Sequence, residues 1–189
     1  MRPAPAHAVQ LACHPEARGG AVRAVSARVG AMPGARLALT YVLEGDLARV
    51  RVPAPRPPRF AERLWQHTCC EVFIARKDSP AYHEFNFAPS GEWAAYAFER
   101  YREGRPLADE ALAPGIAVRR AGDALELDAV IRLDLLSPAH AGAPLSLALS
   151  AVVEDSDGAL SYWALRHPPG RPDFHHADSF ALELDEVRN

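Results

Sequence analysis

The chain has 189 residues, enough for one domain with a sizeable buried core, and 49% apolar with 24% charged residues is an ordinary globular composition. A net charge of −3, with Lys77 the only lysine and the arginines scattered, excludes the basic stripe of a nucleic-acid binder. Three cysteines exclude a fully paired disulfide framework, and the Cα atoms of Cys69 and Cys70, about 3.8 Å apart as neighbours, are closer than the usual disulfide range of roughly 4.4–6.8 Å. Buried reduced thiols are the expectation.

In chain order, the N-terminal "MRPAPAHAVQLACHPEARGG" lacks the continuous apolar stretch of a secretory signal, so a cytoplasmic location is expected. "GAVRAVSARVG" reads as an early strand. "RLALTYVLEG" alternates through Leu37, Leu39, Tyr41 and Leu43, and "LARVRVP" through Val50 and Val52, both with the two-residue period of strands. Proline excludes "PAPRPP" from a sheet interior and makes it a loop. The following "PPRFAERLW" is predicted as a short helix.

The stretch from His67 to Phe98 divides into three strands. In "CCEVFI" one face carries Cys70, Val72 and Ile74, the other Cys69, Glu71 and Phe73. After the hairpin connection "RKDSPA", "YHEFNFA" sets His83, Phe85 and Phe87 against Tyr82, Glu84 and Asn86. "APSGE" is a strong turn signal, and "EWAAYAFER" sets Trp93, Ala95 and Ala97 against Ala94, Tyr96 and Phe98. A meander follows, with Val72, Ile74, Phe85 and Phe87 available for the core.

Further along, "ALELDAVIRL" alternates as a strand and "IRLDLLSP" ends at Pro138 as a short helix. "LSLALSAVV" has two apolar faces, as a central strand should, yet its run is about half the length that spans a bilayer. No membrane association is expected. "ALSYWALR" and "SFALEL" close the strand pattern, separated by a Pro-rich loop holding His167, His175 and His176. The fold class is therefore all-β: an antiparallel β-sandwich, immunoglobulin-like or jelly-roll-like, with one or two short helices, and residues 1–189 form a single domain.

Several chemistries find no support. There is no nucleophile elbow, P-loop, dinucleotide fingerprint, zinc-deaminase pattern or H-E-x-x-H helix. The three histidines with Asp173 and Asp178 have metal-ligand chemistry, but adjacent His175 and His176 diverge on an extended chain. Hydrogen bonding within the loop is the main expectation there, with one histidine reaching a ligand as the next. No metal and no cofactor are expected.

What stands out is Glu71, Glu84 and Asn86 on one sheet face, where neighbouring carboxylates repel unless something lies between them. Ringed by Trp65, His67, Trp93 or Tyr96, they have the stacking and hydrogen-bonding groups that grip polar ligands such as sugars. The alternatives are a solvated sheet face, an acid/base enzyme using Glu71 or Glu84 with a histidine, and a protein-interaction module without a small ligand.

The run Leu64, Trp65, Thr68, Cys69, Glu71, Phe73, then Tyr82, Glu84, Phe85, Asn86, then Pro89, Ser90, Gly91, Trp93 resembles the DOMON-like domains, a group related to family 9 carbohydrate-binding modules. The late "PDFHHADSF" is similar to that family's closing loop and last strand. The resemblance implies a ligand-binding β-sandwich, with sugars or haem bound in different branches. The haem branch uses Met and His as axial ligands, whereas this chain has only Met1 and Met32, the latter in a Gly/Pro loop. The sugar branch implies a non-catalytic domain for a small polar ligand. Trp65 and Trp93 would stack on it, Glu71, Glu84 and Asn86 would hydrogen-bond it, and His67 or His175 would join from loops.

Overall fold

The computed structural model describes residues 6–17, 20–77, 79–140 and 142–185. In chain order its strands are β1 (His7–Cys13), β2 (Val22–Met32), β3 (Arg36–Gly45), β4 (Cys69–Arg76), β5 (Tyr82–Phe87), β6 (Trp93–Arg100), β7 (Glu103–Pro106), β8 (Gly115–Ala121) and β9 (Ala124–Arg132). A one-turn helix α1 (Leu133–Leu136) precedes β10 (Leu145–Glu154), β11 (Leu160–Ala164) and β12 (Leu182–Leu184). The chain is mostly β, with few short helices. All strand pairings are antiparallel, in the order β7-β6-β5-β4-β10-β11-β1-β2-β3-β9-β8, and β12 also pairs with β10. The sheet is not closed, and no described helix is long and apolar enough to cross a membrane.

Alternation explains the layout. Leu37, Leu39, Tyr41 and Leu43 of β3, with Leu125, Leu127, Ala129 and Ile131 of β9, are buried. The outward faces of the same strands carry polar pairs: Thr40 donates to Asp128 at 2.7 Å, and Arg119 pairs with Glu126 and Asp128. Val72, Ile74, Phe85, Phe87, Leu147 and Leu149 join the β3 and β9 residues in one apolar cluster. Tyr41, fully buried, donates its hydroxyl to the Glu71 carbonyl at 2.6 Å, so β3 and β4 meet across the core though they are distant in strand order. A buried hydroxyl without that partner would cost about 1–3 kcal/mol.

The meander over β4, β5 and β6 forms in the register the alternation implies, with Val72 opposite Phe85 and Phe85 opposite Ala95. β10 is central and buried, paired with β4 on one edge and with β11 and β12 on the other. Two expected elements differ. "LARVRVP" contributes only a bridge between Val50 and Asp155, because the prolines from Pro53 onward remove the donors that would extend a ladder. "PPRFAERLW" is not an α-helix: Phe60 bridges Trp93 in extended conformation, and a single 3-10 turn covers Leu64–Gln66. The helix predicted in "IRLDLLSP" is present as α1. Strands β1, β7 and β8 have no counterpart in the expectations. β7 is exposed throughout and carries no apolar periodicity, so only its pairing with β6 makes it a strand.

The Pro89-Ser90-Gly91 turn is built by hydrogen bonds. Gly91 takes φ 92°, its N–H bonds the Ala88 carbonyl at 2.9 Å, and Ser90 Oγ donates to Glu92 at 2.9 Å. Cys69 and Cys70 are buried free thiols as expected, whereas Cys13 is exposed.

Candidate functional site

Alternation places one face of β4, β5 and β6 away from the core, and the register fixes its rows. Glu71 lies beside Ser150 of β10 and Asn86 of β5; the next row is Ala148, Phe73, Glu84 and Tyr96. Glu71 and Glu84 are thus diagonal neighbours on one face. Over these rows opens a cavity of about 640 Å³, within the usual range for small-molecule sites. Glu71, Glu84, Phe73 and Val152 form its floor, and Tyr96, Phe98 and Tyr162 its sheet-borne sides. Two loops complete the wall. One brings Glu62, Arg63 and Trp65, the other Arg171, Pro172, Phe174 and His175, with Arg102 of the β6–β7 turn between them.

Glycine shapes one side. Gly104 of β7 sits opposite Phe98, and a Cβ there would come within 2.4 Å of the Phe98 ring and 2.6 Å of the Ala97 carbonyl oxygen. Its missing side chain lets the ring lie over β7, where it stacks on Tyr82 with centroids 4.7 Å apart.

The floor is polar, buried and internally bonded. Glu71, Glu84 and Asn86 are at most 4% exposed. Asn86 Nδ2 donates to Glu84 Oε1 at 2.7 Å, and Ser150 Oγ donates to Glu71 Oε2 at 3.3 Å. The Cys69 thiol lies 3.5 Å from both Glu71 Oε1 and Asn86 Oδ1. Burial pushes both carboxyls above the ordinary carboxylate range, and the charge of Glu84 raises Glu71 further. Both acids therefore keep their protons to higher pH than free carboxyls do.

His175 connects this wall to the loop. Arg102 N–H donates to the Tyr82 hydroxyl at 3.1 Å, and the same hydroxyl is hydrogen-bonded to His175 Nδ1 at 2.9 Å. Burial, then the nearby Arg102 guanidinium, hold His175 down at about 4, so its ring is neutral, with Nε2 3.8 Å from Glu84 Oε2. Asp173 fixes the loop by accepting from Tyr101 at 2.6 Å, Arg102 at 2.8 Å and His175 N–H at 3.1 Å.

Five of the eight residues picked from the sequence line the cavity: Trp65, Glu71, Glu84, Tyr96 and His175. Asn86 lies beneath the lining and orients Glu84. Two are placed elsewhere. Trp93 is fully buried on the core face, packed edge-on against Phe60 at 5.5 Å, because it alternates with Ala94 and Tyr96. His67 binds Glu154 Oε2 at 2.7 Å and does not line the cavity. The loop histidines diverge: His167 bonds the Ala12 carbonyl at 2.8 Å, and His176 Nδ1 accepts from Asp178 N–H at 3.2 Å. Among the described residues no group of three metal-ligating side chains converges. Arg63, Arg102, Arg171, Tyr162 and Phe174 were not legible as site residues: Tyr162 lies mid-strand in β11, which only its pairing with β10 brings to the site, and the others come from turns or loops whose position depends on tertiary contacts.

Stability should register the acid pair. Both carboxyls titrate higher folded than unfolded, so from about pH 4.5 through neutrality the folded chain holds the extra proton and stability falls as pH rises. Each proton held only by the folded chain contributes a slope of about 1.4 kcal/mol per pH unit. His140 and His175, held at about 4 against an ordinary 6.5, act in the opposite sense, and their contribution is lost as pH falls from 6.5 towards 4. Urea midpoints measured across this range should therefore decline above pH 6.5, and Glu71→Gln with Glu84→Gln should flatten that decline. Equal slopes in the two proteins would contradict the raised titration of the two acids.

No protein-family profile matches the chain, and no curated protein matches it. Among solved structures, it is similar to a protein from Bacteroides uniformis described as a candidate carbohydrate-binding protein, at 17% identity and a TM-score of 0.66, over 92% of this chain and 83% of that one. A family 9 carbohydrate-binding module from Caldicellulosiruptor kristjanssonii in complex with glucose aligns at 13% identity and a TM-score of 0.49, over 87% of this chain and 78% of that one. The module in complex with cellotriose gives 12%, 0.42, 77% and 68%. The first of these likenesses, at 17% identity, concerns the fold alone.

Proposed function

We propose that this chain is a non-catalytic, DOMON-like β-sandwich domain that binds a small carbohydrate-like ligand in the cavity over β4, β5 and β6. Its support is one observation: a concave site in which a buried Glu71–Asn86–Glu84 wall stands beside the rings of Trp65, Tyr96 and Phe98. Sugars present hydroxyls at their edges and C–H groups on their faces, which is the complement of that wall. The two-layer arrangement is supported by the single core that β3 and β9 share with β4, β5 and β10. The fold's likeness to a candidate carbohydrate-binding protein points the same way.

Calorimetric titration against a panel of mono- and disaccharides tests the reading. Trp65, 49% exposed, is free to stack on a sugar face, so Trp65→Ala should weaken binding by about tenfold while leaving the melting temperature unchanged. Unchanged affinity would remove the stacking role. One observation favours a second reading, an acid/base enzyme: two buried carboxyls share a wall with His175. Turnover of an aryl glycoside, lost in Glu71→Gln, would establish it.

A further inference from the structure

The cavity's rim differs in charge from its floor. Three guanidinium groups, Arg63, Arg102 and Arg171, line it, against one rim carboxylate, Glu62. Arg102 is engaged by Asp173 at 2.8 Å; Arg63 and Arg171 have no ion-pair partner among the described residues. The backbone adds an independent observation. Only three described non-glycine residues take positive φ, and two of them are Arg63, at 61°, and Arg102, at 56°. A left-handed conformation costs a non-glycine residue of the order of 1–3 kcal/mol, and such strain gathers at ligand clamps. Neither position is one where arginine is the relaxed choice: Arg63 is the N-cap of a 3-10 turn to which its side chain gives no capping bond, and Arg102 lies in the tight β6–β7 connection, where glycine or asparagine would be less strained. Strained backbone thus holds two cationic side chains at the mouth of a cavity whose floor is made of hydrogen-bonding acids and an amide.

Resting on the carbohydrate reading above, we propose that the ligand is an anionic sugar, one bearing a carboxylate or a phosphate. Its charged substituent sits at the rim against Arg63 and Arg171, and its hydroxyls face Glu71 and Glu84. Guanidinium suits both substituents because its planar fork matches two oxygens at once. The raised titration of both floor acids limits the negative charge that would oppose such a ligand.

The test is calorimetric titration of the whole chain at low salt with glucose, glucuronate, glucose 6-phosphate and inorganic phosphate. Glucuronate or glucose 6-phosphate is expected to bind about ten- to a hundredfold tighter than glucose, as charge-assisted bonds in a partly desolvated site do. The preference should shrink as salt is raised. Arg63→Gln with Arg171→Gln should bring the anionic sugars to within about twofold of glucose. Which substituent is the better ligand separates the carboxylate from the phosphate source. Equal binding of glucose and both anionic sugars overturns this inference and leaves the carbohydrate reading standing, as does a preference that survives loss of both arginines. Inorganic phosphate binding as tightly as glucose 6-phosphate shows an anion site that does not read the sugar, which also overturns it. Binding of none of the sugars overturns both readings.

Discussion

Trp93→Ala is expected to lower the unfolding free energy by about 3–5 kcal/mol, the usual cost of deleting a fully buried indole from a core. Trp93 is completely buried, opens β6 opposite Phe87, packs edge-on against Phe60 and receives the chain's return through Arg59 and Ala61 backbone bonds at 3.0 and 2.8 Å. Alanine would leave a cavity that neither β5 nor the Phe60 segment can fill without breaking its pairing. Trp93→Phe should cost much less, because it keeps most of the ring and removes an indole N–H that has no hydrogen-bond partner among the described residues. Urea unfolding of the three proteins measures this, and a loss under roughly 1 kcal/mol for the alanine variant would take the ring out of the core. Ligand affinity should not distinguish Trp93→Phe from the unaltered chain, since the ring faces away from the cavity.

Glu84→Gln should do the reverse. The side chain keeps its shape, and the amide oxygen still accepts from Asn86 Nδ2, so stability should hold at pH 5 and rise slightly above neutrality, where the raised carboxyl would otherwise be forced to ionise. Above neutrality, where Glu84 ionises, binding loses a charged acceptor, worth about 1.5–3 kcal/mol, or roughly ten- to a hundredfold in affinity. A collapse of the melting temperature with affinity intact per folded molecule would make Glu84 a structural residue and leave the wall without its role.

The two predictions separate what the sequence carried from what it did not. Two-residue alternation was enough to put Val72 and Phe85 on one face and Glu71, Glu84 and Asn86 on the other, because a sheet leaves no choice of face once register is set. The same alternation put Trp93 beside Phe85 and Val72, on the core side; an aromatic residue next to a polar patch in sequence drew it wrongly towards the ligand. His67 failed for a different reason. Its partner, Glu154, lies at the end of β10, 87 positions away, and no local pattern announces that pairing. Arg63, Arg102 and Arg171 were hidden because they are positioned by turns, two of them with left-handed backbone that nothing in the residue type foretells. The failed strand at "LARVRVP" shows proline overriding periodicity, and β7 shows pairing creating a strand without it.

The central claim is that the acid-and-amide wall of β4 and β5 is the floor of a ligand site. A crystal structure of the protein grown with the tightest-binding sugar of the calorimetric panel tests it most directly. The predicted result is ligand density in the cavity with a hydroxyl within hydrogen-bonding distance of Glu84 or Glu71, and the indole of Trp65 closed over a sugar face. A fully hydrated cavity, or a sugar bound on another face with the wall unchanged, would contradict it.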